Sequence, residues 1–283
     1  MGKLIETLQR AVKGSGSGIG FLGRNQVQSK PKAAALFVAL SQPDAGAVEA
    51  LVKAGADGGI FALQNGETGA GKLSISLEAY QKAAEPLKAA HCAWGLDLAD
   101  VVASLPADAL KGMREGGADF VSFPLSAPAR VLQDRPEGLD RIVTLGALPD
   151  DPYLLLARSI NLLSVQAVRF DFGLSAERLR DLTIEELLRY RMLRETLRFP
   201  ALVSVEGNLG SEEVRTLVKA GASAVVVQPA RGESAPALAS RVAALREELE
   251  RVPGPGAEDE EMPSVAFTPG SPAKGEEQPI RQQ

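Results

Sequence analysis

Asp97, Asp171 and Glu206 are carboxylates at or just past the ends of short apolar runs, and Arg169 lies two residues before Asp171. A carboxylate held at such a position can act as a general base. It can also join waters and substrate oxygens around Mg²⁺, because a hard cation prefers oxygen ligands. Carboxylates of this kind equally build a hydrogen-bonded rim with an arginine such as Arg169, so their types point to a place before they point to a reaction. A second chemical signal is Gln64-Asn-Gly-Glu-Thr-Gly-Ala-Gly-Lys72. Gly66 to Lys72 fit the GxxxxGK part of a nucleotide-phosphate loop, yet Leu73 stands where the metal-binding hydroxyl belongs and Ser74 comes one place late. Lys72 therefore reads as the tip of a glycine-rich lid over an anionic ligand, or as part of a plain loop, and not as a hydrolytic lysine. No apolar run ends in lysine, so a Schiff-base mechanism lacks a nucleophile. His91 and Cys92, the sole histidine and sole cysteine, open a run instead of closing one, which sets them away from the carboxylates.

The elements that must position these groups repeat. Val48-Glu-Ala-Leu-Val-Lys-Ala-Gly-Ala-Asp57 and Val214-Arg-Thr-Leu-Val-Lys-Ala-Gly-Ala-Ser223 are near copies, and Gly116-Gly-Ala-Asp119 repeats their ending. Each runs straight into an apolar stretch. A helix stopped by glycine and followed by a continuous apolar strand is the joint of a βαβ unit, since a buried parallel strand needs no polar alternation. Eight such runs can be counted: 33–40, 59–63, 93–98, 120–125, 141–148, 162–170, 201–206 and 224–228. Eight right-handed units close into a single (β/α)8 TIM barrel. In that fold the chemistry sits at the C-terminal strand ends, which here offer Gln64, Asp97, Arg169, Asp171, Glu206 and Gln228. Period-two alternation turns Asp97, Ser204 and Glu206 inward, because Val203 and Val205 suit the helix-facing side. Both faces of the sixth run are mixed, which leaves the facing of Arg169 and Asp171 open.

The segment from Glu206 to Gln228, 23 of the 283 residues, resembles the closing quarter of the phosphate-binding (β/α)8 barrels. That superfamily includes tryptophan and histidine biosynthesis enzymes and several flavin mononucleotide enzymes. The resemblance implies that Gly207 and Gly210 form a turn whose backbone amides hold a phosphate. A second glycine turn is expected after the eighth strand, but Pro229 stands there and removes an amide, while Arg231-Gly232 just beyond supplies a charge instead. Glu212 and Glu213 open the next helix and oppose an anion electrostatically. Mg²⁺ and flavin mononucleotide are the cofactors compatible with this reading.

The remaining features bound the function. The net charge is -5, of which -4 falls after Val252, where six acids face Lys274 and Arg281. The rest of the chain is nearly neutral and shows no basic stripe with aromatics, which argues against nucleic acid. One cysteine excludes an intrachain disulfide, and no apolar run reaches the ~18 residues of a membrane span, so a cytoplasmic protein is expected. Leu4, Ile5, Leu8 and Val12 recur at helical spacing and predict a short helix capping the barrel floor. The GxGxxG pattern at Gly18, Gly20 and Gly23 follows a helix where a dinucleotide fingerprint follows a strand, so it reads as a linker. Residues 252–283 are rich in Pro, Gly and Glu and predict a disordered tail whose partner is unknown, with 1–24 as cap and linker and 25–251 as the barrel. Thr183-Ile-Glu-Glu186 predicts a capping box ahead of a helix whose Leu187, Leu188, Met192 and Leu193 face the barrel. Tyr80, Tyr153 and Tyr190 fall in helical stretches and are not proton-donor candidates. The expectation is a barrel that binds a small anionic metabolite, phosphorylated or not, with lyase or isomerase chemistry. A non-catalytic binding or scaffold barrel and a flavin mononucleotide-dependent oxidoreductase are the alternatives, and the chain is free to form a homo-oligomer.

Overall fold

The computed structural model describes residues 2–13, 32–64, 77–106, 108–146 and 151–252. The Gly14–Gly23 linker, the Lys72 loop and the tail from residue 253 lie outside the described residues. The chain opens with α1 (Lys3–Lys13) and then runs β1 (Ala35–Leu40), α2 (Ala45–Lys53), β2 (Gly58–Ala62), α3 (Glu78–Ala83), α4 (Glu85–Ala89) and β3 (Ala93–Asp97). Next come α5 (Ala109–Glu115), β4 (Phe120–Pro124), β5 (Asp140–Leu145), α6 (Asp151–Ile160) and β6 (Ala167–Ser175). The described chain closes with α7 (Ala176–Arg180), α8 (Ile184–Thr196), β7 (Ala201–Glu206), α9 (Ser211–Lys219), β8 (Ala224–Val227) and α10 (Ala235–Arg251). The eight strands are parallel and close into a barrel in chain order. Between β4 and β5 the crossover holds only a 3₁₀ turn, Ala129–Leu132.

Alternation sorts the strand side chains. Ala35, Phe37, Ile60, Ala93, Phe120, Ile142, Ala167, Leu202, Ala224 and Val226 point inward and pack with Leu4, Leu8 and Ala11 of α1, while their neighbours in sequence pack under the outer helices. So α1 seals the barrel floor against the inward layer of strand side chains. Phe37 and Phe120 fill the centre edge to face, with ring centroids 6.0 Å apart. Gly58 and Gly95 make room for them. A Cβ on Gly58 would lie 2.2 Å from the Phe37 ring, and one on Gly95 would lie 2.4 Å from the Phe120 carbonyl oxygen and ring. Such distances cannot be relieved by rotamer change, because one partner is backbone.

The repeated joint is a hydrogen-bonded device. After α2, α5 and α9, Gly55, Gly117 and Gly221 take φ of 96°, 87° and 91°, the left-handed conformation that ends a helix cheaply only in glycine. The same two closing bonds recur after α4, where His91 N donates to Lys88 O at 3.0 Å and Cys92 N to Leu87 O at 2.8 Å. Here the left-handed residue is His91, with φ 56°, so the joint occurs four times and its fourth copy carries no glycine signature. The residue just before each even-numbered strand then latches the strand that precedes it. Asp57 accepts from Leu36 N at 2.9 Å, Asp119 from Trp94 N at 3.1 Å, Gln166 from Arg141 N at 2.8 Å and Ser223 from Ala201 N at 3.4 Å.

Two expectations are corrected. The sixth strand is not 162–170 but Ala167–Ser175. Leu162 and Leu163 are apolar, yet they close the turn after α6, with Leu162 N bonded to Ser159 O and Leu163 N to Ile160 O. In α8 only Leu193 of the four predicted core residues is buried; Leu187, Leu188 and Met192 are exposed, and Tyr190 packs inward in their place. The capping box itself forms: Thr183 accepts from Glu186 N and donates its own N–H to the Glu186 carboxylate.

Candidate ligand site at the strand C-termini

The inner wall turns polar one layer above Phe37 and Phe120. Ser122, Thr144, Arg169 and Ser204 continue the inward positions of β4 to β7, and Asp97 stands beside Ser122 in the register while Thr144 stands beside Arg169. Arg169 is the centre, with its side chain 4% exposed. Its Nε donates to Ser204 Oγ at 2.8 Å, its Nη1 to Asp97 Oδ2 at 2.6 Å, and its Nη2 reaches Asp171 Oδ2 at 3.4 Å. Gln228 Nε2 donates to the other Asp171 oxygen at 2.8 Å, and Ala99 N donates to Asp97 Oδ1 at 3.1 Å. Arg169 and Asp171, whose facing the sequence leaves open, both belong to the mouth.

Regular alternation from Ala167 through Arg169 carries Asp171 to the inner face, and a local irregularity follows directly. Between Phe170 and Leu174 the pairing of β6 with β7 shifts, since Phe170 opposes Val203 while Leu174 opposes Val205. Two extra residues therefore bulge out around Gly173, which takes φ 60°. A bulge re-aims side chains and interrupts a ladder, which is why bulges gather at barrel rims. Phe172 stacks on Phe170 at 5.3 Å and anchors the bulge from outside.

Two hydroxyls of this wall have no hydrogen-bond partner among the described residues, Ser122 Oγ and Thr144 Oγ1, and both atoms are buried. Unpaired buried hydroxyls cost free energy, so one beside Asp97 and one beside Arg169 mark where a polar ligand can bind. Sequence reading named neither. The signal that finds them is the one that turned Asp97 inward, because Ser122 alternates with Val121 and Phe123, and Thr144 with Val143 and Leu145.

The other candidates lie around this centre. Gln64 ties the loop after β2 to the loop after β1, donating from Nε2 to Ser41 O at 2.8 Å. Glu206 ends β7 exposed, and Arg231 is exposed beyond β8. Lys72 lies outside the described residues. The turns after β7 and β8 close on carboxylates of the chain itself. Gly210 N donates to Glu213 at 2.7 Å, and Arg180 donates to the other Glu213 oxygen at 2.5 Å. Burial pushes the Glu213 carboxyl up, but the Arg180 guanidinium and the amides of Glu213 and Gly210 outweigh it and hold the carboxyl below its ordinary value. After β8, Ala230 N donates to Glu233 at 2.8 Å, and Arg241 pairs with Glu233 while donating to Gly207 O and Gln228 O. Gly207, with φ 72°, is thus joined to the β8 turn through Arg241. Among the described residues no three His, Cys, Asp or Glu side chains are grouped to hold a metal ion. A flavin or sugar phosphate at the Gly210 turn would meet an amide already donated to Glu213.

No protein-family profile and no curated protein matches this chain. Solved structures do. A thiamine phosphate pyrophosphorylase from Pyrococcus furiosus aligns with TM-score 0.55 and 16% identity over 79% of this chain and 98% of its own. Tryptophan synthase from M. tuberculosis, in its aminoacrylate-bound form, aligns with TM-score 0.59 and 15% identity over 88% of this chain and 100% of its own. A chain of a cube-shaped cage designed by fusing symmetric oligomeric domains aligns with TM-score 0.52 and 15% identity over 76% of this chain and 72% of its own. At these identities the likeness is one of architecture, and it agrees with the closed ring of eight parallel strands: the chain is a (β/α)8 TIM barrel.

Proposed function

We propose that this barrel binds a small anionic metabolite at its mouth, with Arg169 as the group that meets the anion and Asp171 and Asp97 as acid–base groups for lyase or isomerase chemistry. The observation that carries the reading is the cluster Ser204–Arg169–Asp97–Asp171–Gln228 beside the unpaired hydroxyls of Ser122 and Thr144. Asp97 grips Arg169 at 2.6 Å, whereas Asp171 meets it at 3.4 Å. A ligand carboxylate or phosphate oxygen can replace the looser contact while Asp97 keeps the guanidinium in place. Asp171, held by Gln228, is then free to take a proton from a carbon next to the bound anion. Glu206 and Gln64 stand at the rim as further ligand contacts. This reading moves the anion from the Gly207 and Gly210 turn to the inner wall, because the turn amide at Gly210 is engaged by Glu213.

A second reading, a non-catalytic binding barrel, draws support from the closed turns after β7 and β8. A thermal-shift screen of the full chain against small carboxylic acids, sugar phosphates, inorganic phosphate and flavin mononucleotide tests the anion site, and turnover of any compound that binds, lost in Asp171→Asn with binding kept, separates the two readings. A ligand at a hundred times its dissociation constant adds about 2.7 kcal/mol. The proposal expects a shift with a carboxylate or phosphate compound that is lost in Arg169→Met. No shift with any compound, or a shift that survives Arg169→Met, overturns it; a shift lost instead in Glu213→Gln or Arg231→Ala moves the site to the β7 and β8 turns.

A further inference from the structure

We infer that the outer face of α8 is a two-fold interface through which this chain pairs with a second copy of itself. The helix is apolar on two opposite sides. Tyr190, Leu193 and the following Leu197 are buried toward the barrel. On the other side Ile184 is 79% exposed, Leu187 40%, Leu188 54% and Met192 51%. Their spacing of three, one and four residues keeps them on one stripe of a 3.6-residue helix. Four side chains at these exposures present roughly 400 Å² of apolar surface, at the size where patches on monomers mark an interaction site. With Leu156 of α6 and Leu162 in the turn after it, both exposed, the apolar area offered rises to roughly 600 Å². A stable dimer buries about 800 Å² on each partner, including its polar rim, so this surface supplies most of one half.

Shape and charge both favour a second copy as the occupant. Beside the stripe lies an apolar groove between α8 and α9, lined by Leu179, Leu182, Leu187, Tyr190 and Leu217. The Tyr190 hydroxyl on it is buried with no partner among the described residues. Ridge and groove on one surface are what an isologous contact needs, since each copy must offer both halves of the fit. Along α8 Glu185 and Glu186 occupy the first turn, Arg189, Arg191 and Arg194 follow, and Glu195 comes last; within the helix Arg189 bonds to Glu185 and Arg191 to Glu195, so an interface would exchange these pairs for ones across it. Antiparallel pairing about an axis near Leu188 brings the Ile184 end of one copy to the Met192 end of the other. It also sets the acidic turn of each against the arginines of the other. A parallel arrangement would set like charges together, so the charge order selects the antiparallel one.

Sedimentation velocity with light scattering on the full chain tests this. A particle of twice the 29.7 kDa chain mass is expected. Leu188→Arg, which places two facing charges on the axis, should weaken self-association roughly a hundredfold with unchanged circular dichroism, because Leu188 is 54% exposed. Glu185→Arg should also weaken it, and Glu185→Arg with Arg191→Glu should restore it by exchanging the two charges. A monomer at all concentrations overturns the inference, whether the face is then bare or covered by residues of the same chain. A dimer that tolerates Leu188→Arg assigns the contact to another surface and overturns it too.

Discussion

At the barrel floor Asp57, Asp119, Gln166 and Ser223 each accept a backbone N–H from a neighbouring strand, and α1 covers the inner wall. At the mouth, the inward polar side chains of the same strands bond chiefly to one another, and two hydroxyls bond to nothing described. Polar groups that serve the backbone hold a fold together, because a lost latch leaves a buried N–H unpaired. Polar groups that serve one another can exchange a partner for a ligand at small cost. The difference teaches which polar residues to treat as scaffold and which as site, and it does so without reference to a reaction.

Substitution at the two ends should break the comparison differently. The largest effect is expected at the floor, where Gly95→Ala drives a Cβ into Phe120 and should cost about 3 kcal/mol in urea unfolding. A cost below about 1 kcal/mol would mean the floor yields and the contrast with the mouth is weak. Next comes Asp97→Ala, which leaves the buried Arg169 with its longer partner and should cost about 2 kcal/mol. Replacing both partners, Arg169→Met with Asp97→Leu, should recover that stability while abolishing any ligand-induced shift in melting temperature. A double variant that unfolds would assign the pair to the scaffold. Smaller and opposite in sign, His91→Gly should stabilise by about 0.5–1 kcal/mol, since the left-handed φ of 56° strains histidine and suits glycine. Equilibrium unfolding measures it, and a loss of stability would show that the His91 side chain holds more than its turn.

The smallest effect is in pH and has opposite signs at the two ends. Glu213 and Glu233 at the mouth turns sit below their ordinary value of 4.5; for both, burial raises the carboxyl, and the arginine and amide contacts more than offset it. Their stabilisation is present above the unfolded value and is lost as pH falls through the folded one. Asp140 at the floor sits above its ordinary 3.8 because burial outweighs the Ile5 and Leu4 amides that point at it. Its contribution is present below the unfolded value and is lost as pH rises through the folded one. Acidification below about pH 4.5 should therefore loosen α9 and the β8 turn before α1, as hydrogen exchange can read. Earlier exchange in α1 would reverse the comparison.

Local pattern carried much of this fold. The glycine joints at Gly55, Gly117 and Gly221 are visible because a left-handed helix end leaves a residue-type mark, and the inward facing of Asp97 and Ser204 follows from unbroken alternation. The joint at His91 escaped because backbone context imposes there what residue type does not announce. The facing of Arg169 and Asp171 escaped because both faces of the sixth run are mixed, so alternation shows that the two share a face but not which face the barrel encloses. The outward face of α8 was misassigned for a related reason: periodicity shows that a face is apolar, but not which of two apolar faces the barrel covers.

The sequence by itself determined the count of strands, the helix stops and the alternation that separates inner wall from outer, because these depend on residues within a few positions of one another. Only the tertiary structure decided that Arg169 meets Asp97 across 72 residues and that Glu213 and Glu233 close the turns after β7 and β8. Closing the ring sets the register of β3 against β6, and that register is a property of all eight strands together.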